Sequence, residues 1–147
     1  IVNREKPAQK FPATIQGIGF FDGPLVNFTV EGNVVLVDHW HGVSLYDAQN
    51  CRVTGNAVFS IWRGSKRRPW VMLGQKKKAA RGNTVTGNLA FTFRFKDDPQ
   101  VKAEGNATVT AAAFKTALEK AMAAVNEKFG ETHPVSGAKR LEPIPIR

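Results

Sequence analysis

The chain has 147 residues, 42% of them apolar, and a formal net charge of +9 from 21 Lys and Arg against 12 Asp and Glu. This is enough for one domain with a continuous core, and the apolar run of about 18 residues that a membrane span needs is absent, so no membrane partner is expected. A single cysteine, Cys51, excludes an internal disulfide and leaves the redox compartment open.

In chain order, residues 1–14 show no repeat signal and are expected to form a leader arm or the end of a preceding coil. With Ile1 rather than Met at the start, the chain reads as a fragment or processed product, so the upstream remainder of a parent chain is one expected partner. Residues 15–110 repeat. Asn27-Phe-Thr-Val30-Glu-Gly32-Asn33 is echoed by Asn50-Cys-Arg-Val53-Thr-Gly55-Asn56 and by Gly82-Asn-Thr-Val85-Thr-Gly87-Asn88, with a decayed copy at Asn106-Ala-Thr-Val109. Upstream of each copy lies a second run: Gly17 to Gly23, Gly42 to Ala48, Trp70 to Gly74 and Phe91 to Phe95. A third follows each Gly-Asn, as in Val34 to Val37, Ala57 to Phe59 and Leu89 to Phe91. Val43-Ser44-Leu45 alternates as a half-buried strand does. A period in the twenties of residues marks a stacked coil, in which no repeat buries its apolar face alone. Three short strands per repeat predict a triangular coil of about four rungs.

Val30, Val53, Val85 and Val109 are expected to stack as one interior column, and Ile18, Val43, Val71 and Phe93 as another. Asn33, Asn56 and Asn88 are expected to share a corner, their amides bonding rung to rung and their backbone tolerating a left-handed bend. On these Gly-Val-Ser-Leu and Asn-Cys-Arg-Val-Thr-Gly-Asn segments the chain resembles the right-handed parallel β-helix (pectin-lyase-like) superfamily, the fold of polysaccharide lyases, alginate epimerases and phage tailspikes. The resemblance implies an all-β solenoid and a setting that is extracellular or virion-associated.

The positive charge is concentrated. Arg63, Lys66, Arg67, Arg68, Lys76, Lys77, Lys78 and Arg81 fall in one stretch without an acidic residue, in two insertions flanking the strand at Trp70. Turns accept such insertions without breaking the ladder. Arg and Lys beside Trp62 and Trp70 form a candidate ligand-binding face for an anionic polymer, and Trp40 joins it. Asp38-His39-Trp40-His41 occupies the matching turn one rung earlier. Matching turns become neighbours when strands stack about 4.8 Å apart. His41, His39, Tyr46 and Asp38 are therefore the candidate catalytic residues, offering proton abstraction beside a uronate carboxylate in the manner of a lyase or epimerase. The Asp-Pro-His-Glu segment of alginate epimerases is absent, and Asp22 with Asp47 is too sparse for the calcium-binding carboxylates of pectate lyases. His39 and His41 lack a third ligand, so neither metal nor other cofactor is expected.

Residues 111–130 change to helical periodicity, with Phe114, Leu118, Met122, Val125 and Phe129 on one stripe and Gly130 as the stop. An amphipathic helix capping the open end of the coil is expected, or else an oligomerisation helix. Residues 131–147, with Pro134, Pro143 and Pro145, are expected to form an extended arm whose Leu141, Ile144 and Ile146 anchor to a partner copy or to its own coil. The expected function is recognition, with processing as an extension, of an acidic surface polysaccharide. The alternative is a structural module of a virion or surface complex. Nucleic acid is the less favoured partner, and binding at Lys76 to Lys78 without preference among polyanions would mark it.

Overall fold

The computed structural model describes residues 16–60, 67–110 and 112–130, leaving the side chains of Val125, Asn126 and residues 128–130 aside. In chain order the strands are β1 (Ile18–Phe20), β2 (Leu25–Val26), β3 (Thr29–Glu31), β4 (Val34–Leu36), β5 (His41–Tyr46), β6 (Ala48–Gln49) and β7 (Arg52–Thr54). They continue as β8 (Ala57–Phe59), β9 (Trp70–Gly74), β10 (Thr84–Thr86), β11 (Leu89–Ala90), β12 (Thr92–Arg94), β13 (Lys102–Glu104) and β14 (Ala107–Thr108), followed by helix α1 (Phe114–Gly130). Three four-stranded sheets run in the orders β1-β5-β9-β12, β3-β7-β10-β13 and β4-β8-β11-β14, with β2 and β6 paired at a corner. Their pairings are parallel. The chain visits the three sheets in turn and returns one strand further along each time. These stacked parallel sheets are consistent with a β-solenoid.

The interior is built from columns set by strand register. Ile18, Val43, Val71 and Phe93 stack in the first sheet as expected. In the second sheet the column is Val30, Val53, Val85 and Ala103, so Val109 does not belong to it. In the turn before β13, Asp98 accepts a hydrogen bond from Asn83 Nδ2 at 2.7 Å. Gly105-Asn106 stands in the ladder place of Gly87-Asn88, and this puts Ala103 opposite Val85. The Gly-Asn pair therefore sets the register, and the Asn-Ala-Thr-Val string does not. Cys51 is buried in this core, as an inert thiol would be.

Asn33, Asn56, Asn88 and Asn106 form one ladder. Each backbone N–H donates to the next Oδ1 at 3.0, 2.9 and 3.0 Å. The left-handed bend at this corner belongs to the preceding glycines, Gly32, Gly55, Gly87 and Gly105, at φ 62–63°. Among asparagines it falls instead on Asn27 (φ 61°) and Asn50 (φ 53°) at the corner between the first two sheets.

Helix α1 lies along the flank of the stack. In β4, Val35 faces the interior core while Val34 and Leu36 face outward, and Ala57 and Phe59 repeat the pattern in β8. Phe114 and Leu118 pack on that outer face with Leu36, Phe59 and Val109. The described contacts thus differ from a lid across the open end. The reason is sequence-local: three consecutive strands of the third sheet carry apolar residues outward (Val34, Leu36, Ala57, Phe59, Leu89), and this surface gives the apolar stripe of α1 a face to bury against. The expected arm at residues 131–147 and the leader at 1–14 lie outside the described residues.

Candidate functional site

The outer face of the first sheet gathers most of the chemically active side chains. In β5, Val43 and Leu45 are fully buried in the core, so Ser44 and Tyr46 point the other way. A bulge at Gly42 keeps His41 on that outer side, opposite Trp70. Only glycine fits there, because an added Cβ would collide with Val58 Cγ1.

Ser44 Oγ is the hub of the cluster. It lies 2.8 Å from His41 Nδ1 and accepts a hydrogen bond from Trp70 Nε1 at 2.9 Å. An indole N–H only donates, so the serine hydroxyl hydrogen is available to His41 Nδ1, an arrangement that suits the neutral imidazole with its hydrogen on Nε2. The His41 ring meets Trp70 edge-on at 5.0 Å and Phe21 edge-on at 4.9 Å, and stacks on His39 at 5.3 Å. His39 Nδ1 accepts the His41 backbone N–H at 3.0 Å. Burial lowers the pKa of His41 below the ordinary value of 6.5, and the charges of His39 and Arg94 lower it further.

Cations lie over aromatic rings along this face. The Arg94 guanidinium sits 4.0 Å from the Trp70 ring centre. Lys76 Nζ is 5.3 Å from the Tyr46 ring and 5.8 Å from that of Phe21, with the Asp22 carboxylate at 3.8 Å. At the edge, Arg67 pairs with Asp38 at 3.2 Å and lies 5.9 Å from the exposed Trp40 ring.

The basic turn after β9 is fixed from beneath. Asp47, buried and at φ 53°, accepts the backbone N–H groups of Lys76 at 2.6 Å and Lys77 at 3.0 Å. Those bonds hold its carboxyl below the usual carboxylate range. With the carboxylate occupying the backbone nest, the side chains of Lys77 and Lys78 are left exposed.

The structure thus brings His39, His41, Tyr46, Trp70 and Lys76 onto one face, with Asp38, Trp40 and Arg67 at its margin. Arg68 is exposed just before β9. Trp62, Arg63 and Lys66 lie outside the described residues. Sequence reasoning missed Phe21, Ser44 and Arg94. The signal for two of them was the repeat: aligning Val43-Ser44-Leu45, Val71-Met72-Leu73 and Phe93-Arg94-Phe95 puts Ser44, Met72 and Arg94 in one outward column. Ser44 is fully buried, which rules it out as a nucleophile for a bulky substrate and leaves it a positioning role. Among the described residues no group of three or more His, Cys, Asp or Glu could hold a metal ion.

A depressed histidine pKa has a stability consequence of definite sign. Between the lowered folded value and the unfolded 6.5, the unfolded state binds more protons, so the His41 contribution is complete above pH 6.5 and is lost as pH falls below it. Thermal melting in low-salt buffer is expected to show a Tm that falls from pH 7 toward about pH 5, and a His41→Gln variant is expected to show a shallower fall. A Tm that is unchanged in wild type over this range contradicts the assignment. No protein-family model, no curated protein and no solved structure matches the chain.

Proposed function

We propose that the chain is a right-handed parallel β-helix of four coils, related to the pectin-lyase-like superfamily it resembles, and that it recognises an acidic polysaccharide on the outer face of its first sheet. A secreted or virion-associated setting accords with this reading. The observation that carries it is the alternation of cations with aromatic rings on one face: Arg94 on Trp70, Lys76 over Tyr46 and Phe21, and Arg67 near Trp40. Rings supply flat apolar contact for sugar, while the cations attract carboxylates and draw the polymer in through their summed field. Helix α1 braces the flank of the coil and leaves this face open. Processing of the polymer is the extension of this reading, with His41 as the proton acceptor at alkaline pH, where the ring stays neutral even with a carboxylate bound beside it, because a neutral imidazole is the form a general base requires.

The test is a binding panel of uronate polymers, a neutral glucan and an unrelated polyanion. Wild type is expected to prefer the uronates, and an Arg94→Ala, Lys77→Ala, Lys78→Ala variant is expected to bind them at least tenfold more weakly, about 1.4 kcal/mol. Equal uronate binding by the two proteins removes the proposed face. Equal wild-type binding to the unrelated polyanion reduces the recognition to nonspecific charge. For processing, an unsaturated product absorbing in the ultraviolet is expected from wild type and lost in His41→Ala.

A further inference from the structure

We propose that Arg94, laid against Trp70 beside the His39–His41 pair, centres a carboxylate-binding subsite, and that filling it draws a proton from solvent onto His41. This rests on the reading above that the face takes an acidic polymer, and adds that binding there is tightened by acid.

The first part follows from the placement of Arg94. Its guanidinium lies 4.0 Å from the Trp70 ring centre, and among the described residues no carboxylate lies within salt-bridge reach of it. A guanidinium with one face on a ring still presents its N–H fork to a carboxylate in its own plane. Arg94 is exposed, so an incoming anion can reach it, and the indole under it keeps the fork from swinging freely.

The second part follows from what surrounds His41. From β12 it faces Arg94, and from its own segment it faces His39. From β9 it meets the uncharged Trp70, and from the turn after β1 it meets Phe21, over which Lys76 is placed. From its own strand it faces the hydroxyl side chains of Ser44 and Tyr46. The nearby carboxylates are already committed: Asp22 to Lys76, Asp38 to Arg67 and Asp47 to the backbone of Lys76 and Lys77. The field at His41 is therefore positive, and burial also disfavours the charged ring, so in the free protein His41 takes up a proton less readily than an ordinary imidazole. A carboxylate seated on Arg94 reverses that field. By linkage, an anion that favours the imidazolium must itself bind more tightly wherever the imidazolium forms. Wild-type affinity then rises on acidification, while the uronate stays ionised because carboxylates titrate near pH 4.

The experiment is isothermal titration of the full chain with a uronate oligomer and with a sulfated glucan, at about pH 8 and pH 5.5, in buffers of different ionisation enthalpy. The sulfated polymer carries no titrating group in this range, so any proton exchanged with it belongs to the protein. Expected are roughly tenfold tighter binding at the lower pH, a typical coupling, and net proton uptake near pH 6 with both ligands. In parallel, the His41 ring resonance of wild type is expected to titrate at higher pH with ligand than without, a readout that needs no variant to fold. His41→Gln is expected to flatten the pH dependence to within about twofold and abolish the uptake; Arg94→Gln is expected to weaken binding at both pH values.

Wild-type affinity that is equal at the two pH values, with no proton exchanged and no shift of the His41 titration, overturns this proposal while leaving polymer recognition standing. Proton uptake that persists in His41→Gln overturns the assignment to His41. Failure of every polymer to bind at either pH overturns both readings together.

Discussion

Asn88→Ala is expected to lower the unfolding free energy by about 3–4 kcal/mol, because a buried polar group deprived of its partner costs about 1–3 kcal/mol and this change strands several. The Asn88 amide donates to Val53 O, Thr86 O and Asn106 Oδ1, and its Oδ1 accepts from Asn56 N and Nδ2, all within 2.9–3.1 Å. The residue is fully buried, so water cannot replace those partners. Asn33, half-buried at the start of the ladder, offers the internal control. Its truncation to Ala is expected to cost only about 1 kcal/mol, the ordinary net worth of a hydrogen bond. Urea denaturation of both variants measures the difference. Equal costs for the two would show that the ladder does not act as a buried, cooperative element.

Phe59→Ala is expected to cost about 3–5 kcal/mol, the range for removing a buried aromatic side chain. Phe59 is fully buried on the outer face of the third sheet and meets Phe114 of α1 edge-on at 5.8 Å. Phe114→Ala is expected to be of similar size, since that ring also stacks on Phe91 at 5.7 Å. Because the two residues share one contact, the double variant should cost less than the sum of the single ones. Denaturation followed by far-ultraviolet circular dichroism checks this, with the helical signal lost in the same transition as the strand signal. A loss below about 0.5 kcal/mol for Phe114→Ala, the level of an ordinary surface change, would mean that α1 is only tethered to the stack.

The two predictions probe different parts of one arrangement. The ladder keeps successive coils in register, and register is what sets Ser44, Met72 and Arg94 in one column on the face proposed to bind polymer. Loss of register would separate Arg94 from Trp70 and both from His41. Stability and recognition are therefore coupled through backbone geometry, even though Asn88 lies on the corner between the second and third sheets and not on the first.

Much of this architecture is written in the chain as a period. The interior column Ile18, Val43, Val71 and Phe93 and the corner of Asn33, Asn56 and Asn88 are legible because parallel strands stack like upon like, so a linear repeat becomes a spatial column. The same logic failed at the fourth repeat. There the string Asn-Ala-Thr-Val looked like its predecessors, but Asn106 takes the ladder place below Asn88, so Ala103 stands where Val109 was expected. The Gly105-Asn106 pair carried the true alignment in the chain, and the expected repeat was matched on the wrong asparagine.

For the site, the sequence by itself determined the composition: basic insertions, an Asp-His-Trp-His turn, and aromatic residues beside cations. Only the tertiary structure decided which of them meet. It put Arg94 on Trp70, spent Asp38 on Arg67 and Asp47 on the lysine turn, and buried Ser44 under His41. It also laid α1 along the flank, against the outward apolar residues of β4 and β8. The division has one physical cause: alternation and period are local properties of the backbone, whereas pairing of charges and rings depends on distances that exist only after the coils have closed on one another.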